Sequence, residues 1–139
     1  MPLPYTRTVR FSETDAAGVV YFANLFQFCH EAYEASLDEA GIDLKEFFCQ
    51  PKIAFPIIHS EADFYRPLTC GDCFDIELVP ILLSSNQYEI NYQIKLGDLL
   101  AAKAMTRHIC IDAHQRTKQP LPKVLLNWLH QWSNESLQR

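Results

Sequence analysis

Between Gln87 and Ile111 the chain alternates so regularly that a β-hairpin is the structure it predicts. Tyr88, Ile90, Tyr92, Ile94 and Leu96 alternate with Gln87, Glu89, Asn91, Gln93 and Lys95, a period of two that gives a strand one apolar and one polar face. Gly97-Asp98 then supplies a two-residue turn with glycine first, as a type II′ hairpin wants, and Leu99 to Ile111 returns antiparallel. A sheet built on that hairpin has a greasy face that must be covered. The long apolar segment available to cover it runs from Tyr21 to about Ala40. It lacks Pro and Gly, is long enough for about five helical turns, and meets a plausible C-terminal stop at Gly41. Its apolar and small residues (Leu25, Phe26, Phe28, Cys29, Ala32, Tyr33, among others) cover more than one stripe. That breadth predicts a helix wrapped by other structure.

The remaining segments fill in around this pair. Tyr5 to Phe11 alternates and reads as a first strand, with Tyr5, Arg7, Val9 and Phe11 on one face. A short connection around Leu44 to Gln50 leads to a long strand over Ile53 to Tyr65, where Pro56 marks an edge or a bulge. Phe74, Ile76 and Leu78 alternate with Asp75 and Glu77 in a further strand. Leu121-Pro122 opens a last helix with Val124, Leu125, Trp128, Leu129 and Trp132 on its inner face. The order is strand, long buried helix, four-stranded meander, terminal helix. It predicts a single α+β domain over residues 1–139 with a curved antiparallel sheet around the first helix. Cystatin-like and NTF2-like folds share that general plan.

Composition narrows the function. A chain of 139 residues with net charge -5 lacks the basic face that phosphate contacts to nucleic acid need. The N-terminal Met1-Pro2-Leu3-Pro4-Tyr5 carries no apolar leader-like run, and no stretch approaches a membrane span. Five cysteines, an odd number, fit reduced thiols in a cytoplasm. Cys70-Gly71-Asp72-Cys73 has CxxC spacing, but a structural zinc site needs two more ligands, and the segment reads as a turn between strands.

The chemistry is concentrated between residues 10 and 24. Asp15 lies in a short Gly-containing loop that opens into the long helix, so a carboxylate sits beside the exposed N–H groups of a helix start. Such a residue can be an N-cap, which contributes about 1 kcal/mol and no chemistry. It can equally be half of a hydrolytic site, with the amides polarising a carbonyl oxygen. Spacing alone leaves both readings open.

Arg10-Phe11-Ser12-Glu13-Thr14-Asp15-Ala16-Ala17-Gly18-Val19-Val20-Tyr21-Phe22-Ala23-Asn24 resembles the signature of the hotdog-fold acyl-CoA thioesterases of the 4-hydroxybenzoyl-CoA thioesterase type. The likeness continues through the helix and the Arg66-Pro67 turn, and the order of elements agrees over about residues 5 to 130. The resemblance implies a hotdog fold, no cofactor or metal, and hydrolysis of an aromatic acyl-CoA. Foremost among such substrates is 1,4-dihydroxy-2-naphthoyl-CoA of phylloquinone synthesis. Broader aromatic or short-chain acyl-CoA or acyl-carrier-protein thioesterases, and non-catalytic acyl-CoA-binding modules, are the alternatives. It also implies homodimers whose sheets join edge to edge, usually paired again into tetramers, with the site at the dimer interface.

Carried over by matching positions, Asp15 is the catalytic carboxylate, as nucleophile or general base. Gly18 lets backbone and acyl group approach, and Tyr21 and Phe22 supply the helix-start N–H groups for the thioester oxygen. Ser84, Ser85 and Asn86 fall where the family contacts the CoA nucleotide, without the arginines some members carry. His59 reads either as a hydrogen-bonded core residue or as a group set against the substrate across the dimer interface. Glu31 is the reserve catalytic candidate, because a related hotdog branch uses a helix Glu. His30 and Glu34, four apart, predict an ion pair on one side of the helix.

Overall fold

The computed structural model describes residues 4–137, with side chains through residue 133. Met1 to Leu3, part of the N-terminal segment considered above, lie outside the described residues. The elements are β1 (Tyr5–Thr8), a 3-10 turn (Phe11–Glu13), α1 (Asn24–Glu39), α2 (Leu44–Cys49), β2 (Ile53–Ala54), β3 (Ile57–Phe64), β4 (Cys73–Leu82), β5 (Gln87–Leu96), β6 (Leu99–Ile109), β7 (Ile111–Asp112) and α3 (Lys123–Leu137). Five strands form one antiparallel sheet in the order β1-β4-β5-β6-β3, and β2 pairs with β7 apart from it.

The alternation of β5 is carried through in three dimensions. Tyr88, Ile90, Tyr92 and Ile94 are buried on the helix side, opposite Leu78 and Ile76 of β4 and Thr106 and Ala104 of β6. Leu96 pairs with Leu99 across Gly97-Asp98. Gly97 has φ +59 and Asp98 does not share a positive φ, the combination that a type II′ turn needs and a type I′ turn does not. α1 lies on this face and buries Leu25, Phe28, Cys29, Ala32, Tyr33, Ser36 and Leu37. That is one stripe at helical spacing. Its opposite side carries the exposed Gln27 and the partly covered Glu31 and Glu34, so in a single chain that side is covered less than the face on the sheet. α1 ends at Ala40, where Gly41 (φ +86) and Ile42 donate back to Asp38 and Leu37 at 3.0 Å each, a Schellman motif.

Several boundaries differ from the sequence expectation, each for a local reason. β1 stops at Thr8, because β4 pairs with it only from Cys73 to Ile76. Phe11, expected inward, is 80% exposed on the 3-10 turn that follows. The expected strand from Ile53 to Tyr65 breaks at Phe55-Pro56 into β2 and β3, and a register shift follows between Ile57 and His59. The segment taken as a connection at Leu44 to Gln50 contains α2, capped by the Asp43 carboxylate on Glu46 N (3.1 Å). Its signal, an acid three residues ahead of a glutamate, is present in the sequence. β4 continues to Leu82 with Pro80 buried inside it. Among the described residues no strand pairs with β4 beyond Ile76 on its β1 side, an edge position of the kind that tolerates proline. Val124, assigned to the inner face of α3, is 52% exposed, whereas Leu125, Trp128, Leu129 and Trp132 are buried as expected.

Several polar groups within the core pair with one another. Trp128 Nε1 donates to Ser36 Oγ (3.0 Å), which donates to the Tyr33 carbonyl. The hydroxyls of Tyr33 and Tyr88 meet at 2.5 Å, and His108 Nε2 pairs with Thr106 Oγ1 at 2.9 Å. Such closed networks fix one packing of the core at little net cost.

Candidate active site

The segment between the 3-10 turn and α1 folds as a closed loop. Thr14 and Val20 pair as an antiparallel bridge, Asp15 N donates to Val19 O (2.9 Å), and Gly18 N donates to Asp15 O (2.9 Å). Gly18 has φ +81, which L side chains rarely adopt. A Cβ there would meet nothing within 4 Å. The requirement for glycine is therefore conformational.

Asp15 does not cap α1. The N-cap of that helix is Ala23, which has no side-chain cap bond, and the Asp15 carboxylate accepts the amide of Ala17 (2.9 Å) in its own turn. The capping reading of this residue thus falls away; its carboxylate is exposed and, among the described residues, bonds the Ala17 amide of its own turn.

The amides ahead of the helix are arranged differently from expectation. α1 begins at Asn24, so Tyr21, Phe22 and Ala23 precede it. Tyr21 N donates to Glu13 O (3.0 Å) and is not free for a ligand. The amides of Phe22 and Ala23 find no acceptor among the described residues. They are the orphan donors that an uncapped helix start leaves over.

Asp15 and Phe22 both line a cleft of about 380 Å³, together with Val20, Leu25, Phe64 and Ala102. The Tyr65-Arg66-Pro67-Leu68 turn closes it, anchored by the Tyr65 and Arg66 amides on Ala101 O and by Val20 N on Leu68 O. Asp15 and Arg66 are the charged residues among its lining. A cleft that is mostly apolar, with a carboxylate at its edge, suits an uncharged acyl group with a reactive carbonyl. Phe64 and Tyr65 are not among the residues singled out from sequence, and Arg66 enters there only through the Arg66-Pro67 turn of the resemblance. Ala62 and Phe64 sit on the helix side of β3, yet Phe64 is 54% exposed, and period-two reading cannot separate lining from filling.

The other candidates separate cleanly. Glu31 is held by Arg7 Nη1 (3.0 Å), the Tyr5 hydroxyl (3.1 Å) and Gln27 on the far side of α1, and it does not line the cleft. His30 Nδ1 meets Glu34 Oε2 at 2.7 Å, the expected pair. His59 is not a core residue. It stands on the exposed edge strand β3 with Glu61 at 3.0 Å from its Nε2. Ser84, Ser85 and Asn86 form the β4–β5 turn, where Ser85 O and Asn86 O hold the amides of Leu121 and Cys110. That turn lies at the His108 end of the sheet, and the cleft lies at the Ala102 end. The strand between them spans about 20 Å. Within one chain the structure does not bring these residues to Asp15. Cys70 and Cys73 occupy the turn into β4, and no group of three or more potential metal ligands forms among the described residues.

A curled antiparallel sheet on one long helix, with an acidic loop and free amides at the helix head, defines a hotdog-fold protein built for acyl thioesters. The sequence model of the Thioesterase-like superfamily matches residues 9–129, and the chain belongs to that superfamily. It is similar to the 1,4-dihydroxy-2-naphthoyl-CoA hydrolase of Nostoc punctiforme, 51% identical over 93% of this chain and 87% of the relative. The enzyme of the same name from Rippkaea orientalis is 50% identical over 94% of this chain and 96% of its own length. Among solved structures, a 1,4-dihydroxy-2-naphthoyl-CoA thioesterase from Synechocystis superposes with a TM-score of 0.87 at 35% identity, covering 91% and 94% of the two chains.

Proposed function

We propose that this chain, as a single thioesterase domain, hydrolyses 1,4-dihydroxy-2-naphthoyl-CoA to 1,4-dihydroxy-2-naphthoate and CoA in phylloquinone biosynthesis. The observation that carries the reading is the meeting of the Asp15 carboxylate and the uncapped head of α1 at one apolar cleft. The choice of acyl group is supported by relatives of that name at about half identity over nearly the whole chain.

The thioester carbonyl sits with its oxygen toward the Phe22 and Ala23 amides. Each donor aimed at the developing oxyanion is worth about 3 kcal/mol in comparable sites. Asp15 acts by one of two balanced routes. It attacks the carbonyl carbon, expelling CoA thiolate and leaving a mixed anhydride that water then cleaves. Alternatively it takes a proton from a water that attacks the same carbon, and the thiolate leaves as the tetrahedral intermediate collapses. Both routes need the ionised carboxylate, so activity falls on acidification.

The working unit is a homodimer, itself paired into a tetramer. β3 is a long edge strand with Ile57, Ile58 and Phe64, and Tyr65 just after it, each about half exposed, a surface that monomeric proteins avoid. Antiparallel pairing of β3 with its copy sets the Phe64 end of one sheet beside the Ile57 end of the other. That would carry His59 and the Ser84-Ser85-Asn86 turn of one copy toward the Asp15 cleft of the next. On this proposal the residues that lie about 20 Å apart within one chain come closer across the pair, His59 of the edge strand most of all. No described helix is long and apolar enough to cross a membrane, and the five free thiols fit a reducing cytoplasm.

Thiol release from a panel of aromatic and short-chain acyl-CoA and acyl-carrier-protein thioesters tests the reading. The naphthoyl thioester should be cleaved fastest. Faster turnover of an aliphatic thioester would reassign the substrate, and tight binding without thiol release would make the chain a non-catalytic module.

A further inference from the structure

We propose that Arg7, acting through Glu13, is the positioning residue that holds the Asp15 loop in its working geometry. The proposal rests on the thioesterase reading of the cleft. Arg7 lies on β1 with its side chain only 12% exposed and its guanidinium 4.4 Å above the Phe28 ring. One arm, Nη1, donates to both oxygens of Glu31 on α1 (3.0 and 3.2 Å). The other, Nη2, donates to Glu13 Oε2 at 2.6 Å. Planar guanidinium geometry lets one cation serve two carboxylates on different elements, which an ammonium cannot do equally.

Glu13 is the node of the loop. Its second carboxylate oxygen accepts Arg10 N (2.8 Å) and closes the 3-10 turn. Its backbone carbonyl accepts both Tyr21 N (3.0 Å) and Asn24 Nδ2 (2.9 Å). Both ends of the loop bearing Asp15 therefore converge on one residue, and the head of α1 is tied to the same carbonyl. Phe11 and Ser12 of the 3-10 turn are exposed, whereas the Glu13 side chain is 12% exposed and paired with an equally covered Arg7, so this ion pair ties the turn to β1 and is less screened than a surface pair. Neither Arg7 nor Glu13 lines the cleft. Their effect on hydrolysis passes through where they put Asp15 and the Phe22 and Ala23 amides.

The test compares Arg7→Met, Arg7→Lys, Glu13→Gln, Glu31→Gln and the Arg7→Met/Glu13→Gln double variant. kcat and KM are measured on the acyl-CoA that the wild type cleaves fastest, and backbone amide exchange of Asp15 and Tyr21 on the same samples. Arg7→Met should lower kcat about 10- to 100-fold, the scale of a small misplacement of reacting groups, with KM nearly unchanged. Arg7→Lys should recover part of that loss, and the double variant should be no slower than Arg7→Met alone. The Asp15 and Tyr21 amides should exchange about tenfold faster while the Phe28 amide in α1 keeps its wild-type rate. Glu31→Gln should leave loop exchange as in the wild type. Losses that multiply in the double variant, a change confined to KM, unaltered loop exchange, or an equal effect of Glu31→Gln would each overturn the proposal. If Arg7→Met does not fold, Glu13→Gln, which leaves Arg7 in place, carries the same comparison. If the wild type cleaves no acyl-CoA, the substrate reading fails, and loop exchange alone decides the role of Arg7.

Discussion

Replacing His108 by Gln should remove a specific part of the acid sensitivity of this fold. The ring is 2% exposed, stacked on Tyr88 at 4.7 Å between centroids, and packed against Tyr33. Its Nε2 meets Thr106 Oγ1 at 2.9 Å and its other side reaches the Phe55 backbone. Burial drives its pKa down from 6.5 to about 4, and the nearby His30 pushes in the same direction. Between those values the unfolded chain binds a proton that the folded chain does not. Stability from this group is therefore intact above about pH 7 and lost progressively as pH falls from 6.5 toward 4. The whole gap corresponds to about 3 kcal/mol, of which about 2 kcal/mol is lost between pH 7 and 5. Gln can still bond Thr106 and does not titrate. Urea unfolding of wild type and variant at one protein concentration, repeated at several pH values, isolates the term from carboxylates common to both. The variant should start less stable and gain on the wild type by about 2 kcal/mol between pH 7 and 5. Parallel curves would refute the reasoning, because they would mean His108 protonates in the folded state without penalty.

Gly18→Ala should cost about 1–2 kcal/mol from the positive φ alone, read as a lower melting temperature, with kcat reduced more than KM because the strain falls on the Asp15 loop. Trp128→Phe removes the donor to Ser36 Oγ while that hydroxyl keeps its bond to Tyr33 O, and should cost about 1 kcal/mol in urea unfolding. Ile58→Lys puts a charge on the half-exposed edge strand and should give monomers in sedimentation with thiol release lost. Unchanged assembly and activity would place the interface elsewhere.

Much of the fold can be read from the sequence because its strongest signals are local. The β5–β6 hairpin rests on strict alternation and one glycine turn, and the helix stop at Gly41 on one positive φ. What escaped had competing local causes. Pro56 splits one expected strand in two, and the capping acid of α2 was passed over inside an apparent loop. The site is legible in part. Asp15 stands out by its loop, but among the described residues the amides without an acceptor are those of Phe22 and Ala23, one and two residues later than Tyr21, since the Tyr21 N–H is taken by a carbonyl eight positions back along the chain at Glu13. That long-range bond leaves no mark in spacing. His59 and the Ser84 to Asn86 turn are legible as polar positions, while their place at the far end of the sheet from Asp15 follows from strand pairing that spacing does not encode.

On the proposed function, one loop carboxylate does the chemistry at an uncapped helix head. Asp15→Asn keeps the acceptor for the Ala17 amide and removes the charge, so the loop should survive the change. Steady-state thiol release from 1,4-dihydroxy-2-naphthoyl-CoA by this variant should fall about a hundred- to ten-thousandfold, with the thioester still bound. Turnover at the wild-type rate would contradict the account and pass the catalytic role to another group.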